Sequence, residues 1–333
     1  MKASPIKQQP SGFGLQKKQS RDFKEKFIEI ILFLAALTSV LTTVIFILVF
    51  GSKTWDFFSV VPLTEFFALD KFFSGEAFRW APLSARQSYE IMPLLSGTLL
   101  VTLISMIVAL PLGLLSAVYL SEFAPTRVRK IIKPVLELLA GIPTVVYGYF
   151  ALLFITPMLR SVGIWADESS IPILSMLSTI QFWNVLSAGL VMGIMILPMV
   201  SSISEDAMHA VPQSLREGAY ATGATRFEVA IRVILPAALS GIAAAFILAI
   251  SRAIGETMIV AVAAGQTPNF PPDLLKPIMT LTAYIVNVAT GDHPAGAEIW
   301  DSLFAVGTLL FLMTLVLNVV SHYIVKKFRE QYE

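Results

Sequence analysis

Of 333 residues, 56% are hydrophobic and only 14% charged, against roughly a quarter charged in ordinary soluble domains. A net charge of +1 excludes a global basic field for nucleic acid, and the lack of cysteine excludes disulfides, thiolate metal sites and thiol nucleophiles. The apolar excess points to lipid as the solvent, and so to an all-α polytopic transmembrane bundle of about six spans.

Residues 1–26 form a polar tail with seven basic residues, Lys2, Lys7, Lys17, Lys18, Arg21, Lys24 and Lys26. The apolar run from Phe27 to Phe50 exceeds the ~7–15 residues of a signal-peptide core, and no small-residue cleavage site follows it, so it is expected to stay as the first span. An outer segment, 51–92, is punctuated by Pro62, Gly75 and Pro82. The core, 93–325, then holds five further spans: Leu94–Leu120, Val135–Met158, Phe182–Ser204, Pro236–Ala264 and Ser302–Val325. Each reaches the about 20 residues that a bilayer core requires. A short polar tail, 326–333, ends the chain.

Within these spans, Gly141, Ile142 and Pro143 interrupt the third, as a packing kink or as a broken helix lining a polar path. Gly189 and Gly193 form a GxxxG pair in the fourth, and Ala243–Ala245 a small patch in the fifth, both suited to close helix packing. Ile171–Ile180 and Pro277–Thr290 are too short to cross and read as interfacial or re-entrant pieces. Basic residues number seven in 1–26, four in 121–133, three in 205–236 and three after Val325, against six on the opposite side. The positive-inside rule therefore puts both termini in the cytoplasm. Trp55, Trp80, Trp165, Trp183 and Trp300 are all expected at outer span ends, among headgroups. His209, His293 and His322 are too scattered to suggest a metal site.

The cytoplasmic loop 205–236 reads as two short helices around a turn. Gly223 suits the left-handed residue after a helix, and Thr225 with Glu228 a capping box for the next. Phe227, Ala230, Ile231 and Ile234 fall on one face at i, i+3, i+4 and i+7. By spacing alone, such a pair either lies on the membrane surface or docks into a groove of a soluble partner.

Glu217, Gly218, Ala219, three residues, Gly223, nine residues and then Val233-Ile234-Leu235-Pro236 resemble the EAA loop of ABC importer permeases, E-A-A-x3-G-x9-I-x-L-P. The departures are Gly218 for alanine and Val233 for isoleucine. The resemblance implies a type I importer permease whose loop seats in the ATPase subunit, with Glu217, Gly218, Ala219, Gly223, Leu235 and Pro236 at the docking site. Leu94–Leu120 with its continuation to Glu122, Lys133–Phe150 (K-P-V-L-E-L-L-A-G-I-P-T-V-V-Y-G-Y-F) and Arg252–Met258 (R-A-I-G-E-T-M) resemble phosphate permeases of the PstC type. That resemblance implies import of inorganic phosphate through the cell inner membrane. It also implies a PstA-type sister permease, a PstB-type ATPase homodimer and an extracytoplasmic phosphate-binding protein as partners, beside membrane lipid and no nucleic acid. No G-x4-G-K-[ST] loop occurs, so the chain is expected to be a transport subunit without its own ATPase site or cofactor, ATP being bound by the partner. Another oxyanion, the sister subunit itself, or an ion-coupled secondary transporter are the competing readings.

Arg252 and Glu256 lie inside the fifth span, where charges are rare and mark functional sites by default. At i, i+4 they are expected on one helix face, with Gly255 between them. They form either a structural ion pair or a substrate site, in which Arg252 holds an anion and Glu256 accepts a hydrogen bond from its protonated oxygen. Phosphate carries such a proton near neutrality; sulfate does not.

Overall fold

The computed structural model describes residues 19–68, 70–71, 76–84, 86–169, 172–292 and 298–328. The expected tail up to residue 18, His293 and residues 329–333 lie outside them. The chain divides into two units, residues 1–52 and 53–333. The first unit carries most of helix α1, Gln19–Val60. This helix outruns the expected 27–50 at both ends, because no proline stands between Pro10 and Pro62 and the basic residues before Phe27 are compatible with helix. From Glu25 to Val49 no side chain is buried, as for a helix apolar all round and bathed in lipid.

In the second unit, α2 (Met92–Val118) ends in a wide π-type turn, Tyr119–Phe123. It packs along α5 (Val185–His209) at very short range. A Cβ on Gly189 would stand 2.7 Å from Ile104, and one on Gly193 2.9 Å from the Ser105 carbonyl oxygen and 2.8 Å from Val108. The GxxxG pair thus lets two backbones meet. Around them Val101, Ile104, Ala109, Ala188, Val191, Met192 and Ile196 make one buried core with Tyr147, Ala151, Ala249 and Ala253.

The third span departs from expectation. Residues 126–140 form a separate helix, α3 (Thr126–Ala140), carrying Arg127, Arg129, Lys130 and Lys133. The membrane-length helix is α4, Thr144–Glu168. Gly141, Ile142 and Pro143 are therefore the joint between a polar helix and a span, and Pro143, extended at ψ 133°, opens the span. Pro143 has no N–H to continue the ladder of α3 and disfavours helical backbone at Ile142, so the span starts anew at Thr144.

The fifth span is the discontinuous one. Helix α6 (Gln213–Ala221) and the helical stretch α7 (Arg226–Ala237) precede α8 (Leu239–Ile254), from which α7 is bent by 70°. The 16 residues of α8 rise only about 24 Å, short of a ~30 Å bilayer core. After Gly255 and Glu256 the chain resumes helix at Met258 and runs to Ala264. The described residues thus hold five helices of membrane length, and six spans when the bent pair is counted as one.

The two short apolar pieces remain short. Leu281–Thr290 is a ten-residue helix, α9, and Pro172–Thr179 two turns. The irregular stretch between Ala264 and α9 satisfies its backbone against the start of α5: the carbonyls of Leu275, Lys276 and Leu274 accept from Gln181, Val185 and Leu186. Such pairing is what irregular backbone needs at membrane depth. The final helix, α10, is Glu298–Phe328.

Trp80 corrects the expectation for the tryptophans. It is 3% exposed, held edge-on by Phe66, Tyr89 and Tyr284 in a second core where Phe57, Phe66, Ile91 and Leu94 pack with residues of α9 and α10. An aromatic cluster in a folded outer segment removes it from headgroups; Trp55, Trp165 and Trp183 remain exposed. Burial also pushes the Tyr89 hydroxyl up to about 12.

Candidate functional site

The hairpin α6–α7 turns as its residues demand. Gly223 has φ +87°, a conformation in which only glycine is unstrained, and its N–H donates to the Tyr220 carbonyl at 2.9 Å. Thr225 Oγ1 accepts the Glu228 N–H at 3.3 Å, while Glu228 Oε2 accepts the Thr225 N–H at 2.9 Å, a complete capping box. The Thr225 N–H and hydroxyl, both donating to Glu228 Oε2, hold that carboxyl below the usual carboxylate range.

The buried face of α7 differs from the expected one. Val229 and Ile234 are buried with Ala117, Met208, Val211 and Ile242, and Ala230 is buried too, whereas Phe227 and Ile231 are exposed. The cause is a wide turn at Ala230–Ile234, bonded i to i+5 instead of i to i+4, which inserts extra arc and brings Val229 and Ile234 toward one side.

The EAA residues divide between surface and support. Glu217 and Gly218 are exposed on α6 beside Tyr220 and Ala221, and a Cβ on Gly218 would meet nothing within 4 Å. Its departure from alanine therefore changes no packing in this chain. Ala219 and Leu235 are half-buried in the small core beneath the hairpin, and Pro236 is exposed next to the 70° bend. The structure brings Glu217, Gly218 and Gly223 to the surface of the hairpin, and leaves Leu235 and Pro236 at its root.

Two ion-pair clusters at this end were missed from sequence. Arg216 Nη2 donates to Glu122 Oε1 at 3.0 Å and to the Met208 carbonyl at 2.9 Å, and Nη1 to the Val211 carbonyl at 3.3 Å. Glu205, fully buried, meets Arg129 Nη2 at 2.5 Å and Lys133 Nζ at 3.1 Å; Lys133 also reaches Asp206 at 2.7 Å. The hydrogen bond from Lys133 to Asp206 is the main cause that raises the lysine's pKa, against desolvation. The available signal was positional: Glu205 is the first charge after the uncharged run 169–204, and Glu122 the first after 91–121.

Arg252 and Glu256 do not share a helix face, because α8 stops at Ile254. Glu256 Oε1 accepts the N–H groups of Met258 and Ile259 at 3.1 and 3.3 Å, so the carboxylate starts a new helix instead of continuing the old one. Arg252 stands in the last turn of α8, exposed, with Nη2 at 3.5 Å from Met195 Sδ. Each charge thus sits at the helix terminus its sign suits, cation at the C-terminus and anion at the N-terminus. Glu256 is 9% exposed, and its carbonyl accepts from Thr282 Oγ1 at 2.7 Å.

The family described as "Binding-protein-dependent transport system inner membrane component" matches residues 109–330. The chain is 33% identical over 245 residues to the probable ABC transporter permease protein YqgH of Bacillus subtilis, covering 74% of each. It is 30% identical over 293 residues to the probable phosphate transport system permease protein PstC of Methanocaldococcus jannaschii, covering 86% of this chain and 90% of that one. With PstC of Pasteurella multocida the identity is 30% over 313 residues, 92% and 91% of the two chains. Among solved structures, a bacterial ABC transporter involved in the import of alginate aligns with TM-score 0.55 at 17% identity, over 93% of this chain and all of that one. The family match over residues 109–330, which includes both the hairpin and the broken helix, together with relatives at 30% identity over most of the chain, makes it a member of the binding-protein-dependent transport system inner membrane component family.

Proposed function

We propose that this chain is the PstC-type permease subunit of an ABC importer for inorganic phosphate, with the α6–α7 hairpin in the cytoplasm, where it docks an ATPase homodimer. A sister permease completes the pathway, and an extracytoplasmic phosphate-binding protein delivers substrate. Both termini are cytoplasmic, in keeping with the excess of basic residues on that side. The observation that carries the reading is Arg252, a cation within a membrane-buried stretch that is nonetheless exposed on this chain. Against lipid such a placement is costly; against a water-lined path shared with a second permease it is a ready anion ligand. Phosphate, rather than another oxyanion, is favoured by the PstC relatives that match 86% and 92% of the chain.

In this reading Arg252 binds the anion in transit. Glu256 Oε1 is held by the Met258 and Ile259 amides, so Oε2 is the oxygen that accepts a proton-bearing phosphate hydroxyl and repels sulfate. The test is uptake by a fully assembled complex in liposomes. Arg252→Gln should cut phosphate uptake by at least about tenfold, the scale of one lost charge-assisted hydrogen bond, and Glu256→Gln should narrow the preference for phosphate over sulfate. Normal uptake and normal selectivity in both variants would end the site assignment. ATP hydrolysis that ignores both phosphate and the binding protein would end the importer reading.

A further inference from the structure

Arg216 and Glu217 are consecutive on α6, about 100° apart around it, yet differ sharply in exposure. Glu217 is exposed, whereas the Arg216 and Glu122 side chains are 11% and 7% exposed. Glu122 Oε1 takes two donors, Arg216 Nη2 at 3.0 Å and Ser121 Oγ at 2.7 Å. The guanidinium also closes on the carbonyls of Met208 and Val211. One side chain of α6 therefore grips the end of α2, through Glu122, and the end of α5, through Met208. Only Ala210, Val211 and Pro212 separate α5 from α6, and the proline removes one of that linker's soft dihedrals. The spans so gripped are the pair locked backbone to backbone at Gly189 and Gly193.

We infer that the Glu122–Arg216 pair is the mechanical link that makes the docking helix and the α2–α5 pair move as one body, so that displacement of α6 by the ATPase reaches the membrane instead of being absorbed in the loop. This rests on the docking role proposed for the hairpin. A shielded, charge-assisted pair with three acceptors around one guanidinium resists shear better than an apolar patch, because its geometry is directional. Arg216 and Glu122 are positioning residues here; neither touches substrate or nucleotide.

The experiment uses the assembled complex in liposomes and reads three quantities: ATPase subunit retained on purification through the permease, binding-protein-stimulated ATP hydrolysis, and phosphate imported per ATP. Glu122→Gln keeps an acceptor oxygen and removes the charge; Arg216→Gln removes the fork. Both should retain the ATPase and its hydrolysis while uptake per ATP falls about tenfold, the factor matching one charge-assisted hydrogen bond. Because the chain has no cysteine, a Glu122→Cys/Arg216→Cys pair can be tethered by a methanethiosulfonate cross-linker, which forms a disulfide with each thiol. Tethering should restore the ratio, and cleavage with dithiothreitol should lower it again. An unchanged ratio in both glutamine variants, loss of the ATPase from them, or a tethered pair that stays uncoupled would overturn the link. Glu217→Arg separates the two readings: ATPase retained at the normal level in that variant sinks the docking role itself, whereas its loss there, with a normal ratio in Glu122→Gln, sinks the link alone.

Discussion

Replacing Glu205 by glutamine tests the energetics of the polar end of the bundle. The carboxylate is fully buried between Arg129 and Lys133, each 27% exposed. Removing one partner of a buried pair costs about 3–5 kcal/mol when the remaining charge is sealed from water. Here both cations reach solvent in part, and glutamine still offers one acceptor oxygen, so the loss should fall to about 2–3 kcal/mol. Asp206 supplies the comparison: it also binds Lys133, at 2.7 Å, but is 62% exposed, so Asp206→Asn should cost less than about 1 kcal/mol. The triple replacement of Glu205, Arg129 and Lys133 by methionine should recover most of the loss, since apolar substitutes for a whole buried cluster are often neutral. Unfolding of the purified protein by SDS titration in mixed micelles measures all three. Equal losses for Glu205→Gln and Asp206→Asn would refute the reasoning, because burial would then not be the deciding variable.

Two glycine substitutions to alanine should differ sharply. Gly193→Ala forces a methyl to within 2.9 Å of the Ser105 carbonyl oxygen and should cost about 1–3 kcal/mol in the same titration, while Gly218→Ala, with open space around it, should be neutral or slightly stabilising. Thr225→Ala removes the cap of α7 and should speed hydrogen exchange at the Glu228 amide about fivefold. Acidification should act instead on the Thr225 amide, which donates to Glu228 Oε2 at 2.9 Å. Because the folded-state value for Glu228 is depressed, its contribution is complete above the ordinary value of 4.5 and disappears as pH falls through the lower, folded value. Protection that holds unchanged to lower pH would contradict that assignment.

The apolar runs of α2, α5 and α10 were legible in sequence because lipid imposes a simple length and composition, and the Gly189–Gly193 pair because close approach demands small residues. The hairpin turn was legible too, since Gly223 and Thr225 with Glu228 are local signals that tertiary structure had no reason to override. Phe227 and Ile231 were misplaced by an inserted wide turn, which no periodicity rule anticipates. Val135–Met158 was misframed because the outward Ile131, Val135 and Leu138 of α3 imitate the start of a span. Trp80 was misjudged because a pairing across residues 57–94 and α9 is long-range. At the candidate pathway, sequence singled out Arg252 and Glu256 but assumed an unbroken helix between them, and the competing hydrogen bonds of the Glu256 carboxylate decided otherwise.

That break gives the hairpin and the pathway residues a common element. Helix α8 begins at the 70° bend below α7 and ends at Gly255, with Arg252 in its last turn. Its base is packed with the hairpin through Ala238 and Ile242, and its far end lies in the main core through Ala249 and Ala253. Both ends of α8 are discontinuities, so the helix can tilt without stretching a continuous hydrogen-bond ladder at either joint. A tilt about its middle moves the last turn by an amount comparable to the movement of the first. Under the proposed docking role, a tilt of α8 would carry Arg252 with it, whereas the Glu256 carboxylate is tied to Met258 and Ile259 in the next segment, with the Glu256 N–H still bonded back to the Ala253 carbonyl at 3.2 Å. If α8 does act as that lever, the separation of cation from carboxylate, rather than either charge alone, is the quantity it would change.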